Sequence, residues 1–425
     1  MYPGKIPKYL LFVIAYMLAS NVSAQHDSYI YRTDIEALLE QRYDHEHTFL
    51  NARNTRMPIL ECRDVSIADS IELSKFRAVS FHDHIIETIP EGTNTLIISE
   101  HHIAYRSRNL HMDFTKQLKA EGFTNVYIEA LAYDKDLSSR GYPIDKSGYY
   151  LHEPTMANLV RGLLDEGFNI YPYEELNFQK KASKGYVVKH IKQEIKEKEL
   201  KNERINAAQY DLELMPAYLL MSTRDFSQYK NIMQTFDPNE KSIILCGLGH
   251  GIKKPYGGWR PLGYWLSQNP KVKLYSIENS SAIGQEEPEL NKITCYFDQS
   301  SPYFIVDTQN QDQIYSENRY EPYESKHVGG LFDMNVFYPI NYFDLQDDYS
   351  SYSTSYQDLI VDVSDYGFPL VIVKYNRSEY EVEKEQALPT GVEVVGQPTT
   401  SKKIKIAEDE VVFAWDGDRK YTLKD

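Results

Sequence analysis

The segments Leu96-Ile-Ile-Ser-Glu-His-His-Ile103 and Ile243-Ile-Leu-Cys-Gly-Leu-Gly-His-Gly251 decide the fold of this chain. Each begins as a short apolar run and breaks abruptly into polar residues that include histidine. Such a run is typical of a buried strand in a parallel sheet. Ligands of open α/β proteins bind at the carboxyl ends of these strands. The two segments therefore predict two strands that deliver histidine to the same edge of a sheet.

A helix–glycine–strand unit occurs twice between these segments. Gln117-Leu-Lys-Ala-Glu-Gly-Phe-Thr-Asn-Val-Tyr127 resembles Gly162-Leu-Leu-Asp-Glu-Gly-Phe-Asn-Ile-Tyr171, and each predicted strand ends near a glutamate, Glu129 or Glu174. Successive units of this kind indicate right-handed crossovers. The predicted fold is α/β, with a mixed, mostly parallel sheet flanked by helices and a C-terminal β-rich extension. We interpret Glu174 as a structural residue.

Four regions are expected along the chain. Residues 1–24 are predicted to be a signal peptide, because two lysines precede the apolar core 9–18 and Val22-Ser-Ala24 follows as a cleavage pattern. The mature protein is then exported, periplasmic or extracellular, without a transmembrane anchor. The other three regions are an N-terminal helical segment (25–92), an α/β domain (93–375) and a small β-rich appendage (376–425).

Charge and cysteine content restrict the ligand and the chemistry. The formal net charge is −16, and loss of the two signal-peptide lysines makes it −18. An acidic protein repels nucleic acid, so a small molecule or a peptide is the expected ligand. Three cysteines are too few for a disulfide scaffold. Cys246 lies in a predicted buried strand and is expected to be a core residue rather than a nucleophile.

Polar residues at the predicted strand ends form the candidate site. The expected catalytic residues are Glu100, His101, Glu129 and His250, and the expected substrate-binding residues are Arg106, Arg224 and Asp225. Neighbouring residues of a strand point to opposite sides, so one of His101 and His102 is expected to face the site. We favour His101, which directly follows Glu100.

Three chemistries would use these residues. A histidine can take a proton from water when a carboxylate orients it. His101, His250 and Glu129 could instead ligate a divalent metal. The arginines could neutralise an acidic substrate or an oxyanion.

The order of these motifs is similar to that of a known superfamily. Ser99-Glu-His101, an arginine-bearing segment, Gly122-Phe-x-x-Val-x-x-Glu129, Arg224-Asp225 and Gly247-Leu-Gly-His250 resemble the superfamily that joins erythromycin esterase, ChaN, TraB and Tiki proteins. The resemblance covers about residues 93–280. Ser99 stands where that superfamily commonly has glycine.

The resemblance implies a pocket of Glu100, His101, Glu129 and His250, with Arg224 in support. It also implies several chemistries, because members hydrolyse macrolide esters, act as metal-dependent proteases or bind haem. Hydrolysis is our leading expectation, with a divalent metal or haem left open as cofactor. No serine lies in a Gly-x-Ser-x-Gly context, which disfavours a serine hydrolase. The alternatives are a ChaN-type protein that binds haem or another iron ligand, and a non-catalytic envelope protein.

Overall fold

A computed structural model describes residues 66–424, except 101–106, 150, 152, 175–180, 202–215, 248, 257, 280–287, 298, 308–330, 340–355, 368–369, 396–397 and 417–418. The predicted signal peptide and most of the predicted N-terminal helical segment lie outside the described residues. Within them, no helix has both the length and the apolar character needed to cross a membrane.

The described elements alternate between helix and strand until about residue 278. The strands are β1 (Phe76–Ser80), β2 (Thr95–Glu100), β3 (Phe123–Ile128), β4 (Asn169–Pro172), β5 (Lys241–Gly247), β6 (Leu274–Glu278), β7 (Tyr303–Asp307), β8 (Met334–Asn335), β9 (Gln357–Asp362), β10 (Leu370–Asn376), β11 (Gly391–Val395), β12 (Ser401–Ile406), β13 (Glu410–Trp415) and β14 (Lys420–Lys424). The α-helices are α1 (Ile67–Leu73), α2 (Phe81–Thr88), α3 (Ser107–Ala120), α4 (Leu137–Arg140), α5 (Pro154–Asp165), α6 (Lys181–Leu200), α7 (Pro216–Thr235), α8 (Leu262–Ser267), α9 (Pro288–Phe297) and α10 (Arg377–Glu383).

A six-stranded parallel sheet forms the centre of the α/β domain. Its order is β4-β3-β5-β2-β6-β8, and every neighbouring pair is parallel. Gly122 and Gly167, which precede β3 and β4, adopt left-handed φ values of 87° and 72°, which glycine tolerates after a helix. The prediction of a mostly parallel sheet flanked by helices is confirmed. All six carboxyl ends consequently lie at one edge.

Alternating side chains of the central strands pack on opposite sides of this sheet. Ile98 and Leu245 belong to a core with residues of α3 and α5. Ile97 and Cys246 belong to a separate core with residues of α7 and α8. Burial raises the pKa of the Cys246 thiol well above its usual range, so this cysteine stays protonated in the core. The two helical layers define two sides on which strand-end side chains can lie.

The C-terminal strands form a β unit of two facing sheets. One sheet has the order β11-β10-β13-β14 and the other pairs β12 with β9, all antiparallel. Apolar residues of both sheets, among them Ile372 and Ile404, form a common core. The predicted C-terminal β-rich extension is confirmed. The boundary expected between residues 375 and 376 falls inside β10, and the β unit includes β9, which begins at Gln357.

A buried ion pair joins the β unit to α5. Arg161 donates from Nε and a terminal nitrogen to the Glu379 carboxylate, at 2.9 and 2.6 Å, and also to the carbonyl of Leu388 at 3.0 Å. Arg161 is fully buried and Glu379 is 6% exposed. Asn158 contributes a further hydrogen bond to the carbonyl of Thr390. Charges buried this deeply depend on each other, because neither has water as an alternative partner.

Removing one partner of this pair is predicted to be strongly destabilising. Glu379→Ala leaves the Arg161 charge buried, and should lower the free energy of unfolding by about 3–5 kcal/mol. The double variant Arg161→Leu/Glu379→Leu should recover most of that loss. Urea unfolding measures both effects. Asp358→Ala, which breaks an exposed pair with Lys403, is the control and should cost about 1 kcal/mol or less. A loss of similar size in Glu379→Ala and Asp358→Ala would contradict the argument.

Candidate functional site

Acidic side chains lie at the ends of four of the six strands, at the carboxyl edge of the central sheet. Glu174 follows β4, Glu129 follows β3, and Glu100 and Glu278 are the last residues of β2 and β6. Glu100, Glu129 and Glu278 are at most 4% exposed. Adjacent strands lie about 4.8 Å apart, so these carboxylates form a row along the edge that is interrupted at β5, which ends in Gly247. Buried carboxylates need hydrogen-bond donors or cations.

Arg224, in α7, contacts two members of this row. Its Nε and one terminal nitrogen donate to the two carboxylate oxygens of Glu174, at 3.2 and 2.5 Å. The same terminal nitrogen donates to Oε1 of Glu129 at 2.5 Å, and the other terminal nitrogen lies 2.9 Å from Nε2 of His250. One guanidinium thus connects two strand ends to the histidine after β5. Gln228, one turn along α7, also donates to Glu174.

Asp225 holds the other side of the His250 ring. Its Oδ1 lies 2.5 Å from Nδ1 of His250 and also accepts the Leu262 amide at 2.9 Å. Its Oδ2 accepts the indole N–H of Trp259 at 2.6 Å. We call Glu129, Glu174, Arg224, Asp225 and His250 the His250 cluster. It lies on the α7 side of the sheet edge.

The contacts of His250 define its tautomer. A guanidinium can only donate hydrogen bonds, so Nε2 of His250 is the acceptor facing Arg224. The ring proton is then on Nδ1 and is donated to Asp225. Burial alone would lower the pKa of His250, but the charges of Asp225 and Glu129 outweigh burial and the opposing charge of Arg224, so the pKa is raised. His250 is thereby suited to accept a proton at Nε2.

Glu100 lies on the opposite side of the sheet edge. Nε of Arg108, in α3, donates to Oε2 of Glu100 at 2.5 Å, and another nitrogen of Arg108 donates to Glu153 at 2.8 Å. Arg108 and Glu153 are fully buried, and Glu153 also accepts the backbone amide of Met156 as the N-cap of α5. The pleat explains this separation, because Glu100 follows Ile98 on the α3 side of the sheet. Glu100 is therefore engaged in a buried network with Arg108, away from the side on which His250 lies.

The expected site residues thus fall into three groups. Glu129 and His250 are brought together, with Arg224 and Asp225 in direct contact. Glu100 is held by Arg108 on the other side. His101, His102 and Arg106 lie outside the described residues.

Glu174 and Trp259 lie at this site but are not among the residues expected there. Glu174 binds Arg224, and its interpretation as a structural residue is compatible with that contact. Its position at the end of the second helix–glycine–strand unit corresponds to that of Glu129 and indicates where it lies. Trp259 lies in an irregular segment, and nothing in the local pattern indicates its contact with Asp225.

The donor atoms of the His250 cluster do not match those of a site for a divalent metal or haem. Oε1 of Glu129 and Nε2 of His250 both face the guanidinium of Arg224, which occupies the position that a divalent cation would need. No cluster of three or more potential metal ligands occurs among the described residues. Both ring nitrogens of His250 are engaged and its side chain is 4% exposed, so it does not fit axial ligation of haem. The His250 cluster therefore does not fit metal or haem in this arrangement.

A second histidine at this edge, His111, makes the folding stability of the protein depend on pH. His111, in α3, is 2% exposed and accepts a hydrogen bond at Nε2 from Asn279. Burial lowers the pKa of His111 to about 4, with Glu100 acting to raise it and Arg108 to lower it. Between its ordinary pKa of 6.5 and about 4, only the unfolded chain binds this proton. Stability should therefore fall by about 3 kcal/mol as the pH drops through this range.

His111→Gln should remove this contribution. Its free energy of unfolding, measured with urea at pH 7 and 4.5, should fall less on acidification than that of the parent chain. The exposed His82→Gln is the control and should behave as the parent. Equal acid sensitivity in all three proteins would contradict the role of His111.

No family model, curated protein or solved structure matches this chain.

Proposed function

We propose that the protein is an exported hydrolase in which Nε2 of His250 takes a proton from the attacking water. The observation that carries the proposal is the Asp225–His250 contact of 2.5 Å at the carboxyl edge of a parallel sheet. A carboxylate on Nδ1 orients the ring and makes Nε2 the basic nitrogen. The raised pKa of His250 supports this role, since a base works best with a pKa near the pH of its reaction.

Arg224 has two roles in this mechanism. It holds Glu129 and Glu174 together, and its positive charge lies beside the atom that activates water. When the water attacks a carbonyl, negative charge develops on the substrate oxygen, and a nearby guanidinium stabilises that charge. One N–H of Arg224 occupies the lone pair of His250 Nε2 in the resting structure. Ligand binding must therefore shift this contact before water can reach the base.

Other observations support export and the kind of ligand. Cys295 is disulfide-bonded, which fits an oxidising compartment and the signal peptide predicted at residues 1–24. The net charge of −16 disfavours nucleic acid, so we propose a small molecule or peptide as substrate. The resemblance to the erythromycin esterase, ChaN, TraB and Tiki superfamily agrees with hydrolysis. Arg224 takes the place of a metal ion in this proposal, and the chemistry uses protein groups alone.

Substitution of the base tests the proposal. The purified protein would be assayed on chromogenic esters, macrolide lactones and short peptide amides. His250→Gln should lower kcat/KM for any substrate found by about 10²–10⁴-fold, the usual contribution of a general base. The exposed His82→Gln is the matched control and should retain full activity. Full activity in folded His250→Gln would refute the assignment of the base.

The pH profile provides an independent prediction. The base must be unprotonated to act, so kcat/KM should fall as the pH drops through the pKa of His250. Because Asp225 and Glu129 raise that pKa above 6.5, the inflection should lie above pH 6.5. Asp225→Asn removes one of these charges and should move the inflection to lower pH. An inflection below 6.5 in the parent, or one unmoved by Asp225→Asn, would be inconsistent with His250 as the base.

A further inference from the structure

Trp259 lies against both members of the Asp225–His250 pair. Its indole N–H donates to Oδ2 of Asp225 at 2.6 Å, and its ring meets the His250 ring edge-to-face, with centroids 5.6 Å apart. We propose that Trp259 is a positioning residue that fixes the carboxylate of Asp225 and, through it, the orientation of His250. This inference rests on the proposed function and names a group that the proposed chemistry depends on. Trp259 is 3% exposed and is therefore held within the protein rather than presented to a ligand.

The hydrogen bonds of Asp225 show why the indole matters. Oδ1 receives two donors, from His250 and from the Leu262 amide, whereas Oδ2 receives the Trp259 indole. Two donors on one oxygen locate that atom but leave the carboxylate able to turn about it. The indole on the second oxygen removes this rotation. The plane of the carboxylate, and hence the direction in which it holds Nδ1 of His250, is then defined.

The backbone around His250 is built for close approach to the indole. Gly249 adopts a φ of 85°, and a Cβ at this position would lie 2.8 Å from the Trp259 ring. Only glycine satisfies both conditions without strain. Gly263 packs closely against the same turn, because a Cβ added at this position would lie 2.5 Å from the carbonyl oxygen of Gly251. The segment that carries Trp259 is thus packed directly on the turn that carries His250.

The charges around His250 determine how removal of the Trp259 indole would change the pKa of His250. Among the described residues, the charged groups that act on His250 are Asp225 and Arg224 from α7 and Glu129 after β3. Without the indole, Oδ1 of Asp225 is still held by the Leu262 amide, so the carboxylate remains beside His250. Its negative charge is then compensated by one donor fewer. The attraction for a protonated His250 increases, and the pKa of His250 should rise.

The intact protein offers a direct measurement. The chain contains three tryptophans, so ¹⁵N-tryptophan labelling yields three indole signals to assign. The Trp259 indole proton should exchange slowly and should shift with the protonation of His250, because Asp225 links the two groups. This titration should be absent in His250→Gln. An indole signal of Trp259 that exchanges rapidly or ignores the titration would overturn the inference, without any variant of Trp259 being needed.

Trp259→Phe provides the second test, with Trp265→Phe as its matched control. Both indoles are buried, but Nε1 of Trp265 has no hydrogen-bond partner among the described residues, so its replacement removes ring volume without a donor. In ¹⁵N-histidine spectra, Trp259→Phe should raise the pKa of His250. Trp265→Phe should leave it unchanged. The pH inflection of any hydrolytic activity should move with the same variant.

The outcomes separate the two proposals. A His250 pKa that is the same in Trp259→Phe and the parent would overturn the positioning role, as would equal shifts in both tryptophan variants. These spectra need no substrate, so they judge the role of Trp259 alone. Loss of the proposed function would instead appear as activity that survives in His250→Gln. If Trp259→Phe does not fold, the indole titration of the intact protein decides the question.

Discussion

The ion pairs of Arg224 with Glu129 and Glu174 hold the carboxyl edge of the sheet together. A parallel sheet brings Glu129 and Glu174 to neighbouring strand ends with little water around them, and Asp225 adds a third carboxylate on the same side. Like charges at this spacing repel strongly when they are buried. Arg224 compensates two of them directly, and the third accepts hydrogen bonds from His250 and from two further N–H groups. The contacts that accommodate these buried carboxylates are the contacts that the proposed mechanism uses.

On the opposite side of the edge, a second arginine compensates buried carboxylates. Arg108 lies between Glu100 and Glu153 as Arg224 lies between Glu129 and Glu174. His111, which lies on that side, has a lowered pKa, because it is buried and no carboxylate among the described residues is bonded to its ring. The pKa of His250 is raised instead, since the charges of Asp225 and Glu129 outweigh its burial.

Much of the fold, and part of the site, could be predicted from local patterns. Apolar runs of strand length and glycines at helix ends predict the parallel sheet, and polar residues after β2, β3 and β5 predict which edge carries the site. The side of the sheet on which Glu100 lies depends on the pleat and the register of the strands. They place Glu100 on the same side as Ile98 and on the opposite side from Glu129. The contact of Trp259 with Asp225 spans 34 residues of sequence and has no periodic signal. Such partners are set by tertiary packing alone.

Helix α5 has a consequence for the modularity of the chain. Its first residues are bound to the sheet edge through Glu153 and Arg108, and its later residues to the β unit through Arg161 and Glu379. The two attachments are mechanically connected through α5, because a helix transmits displacement along its axis with little compression. A truncation that deletes Glu379 removes the carboxylate that neutralises Arg161. The α/β domain is therefore expected to lose stability when the β unit is removed.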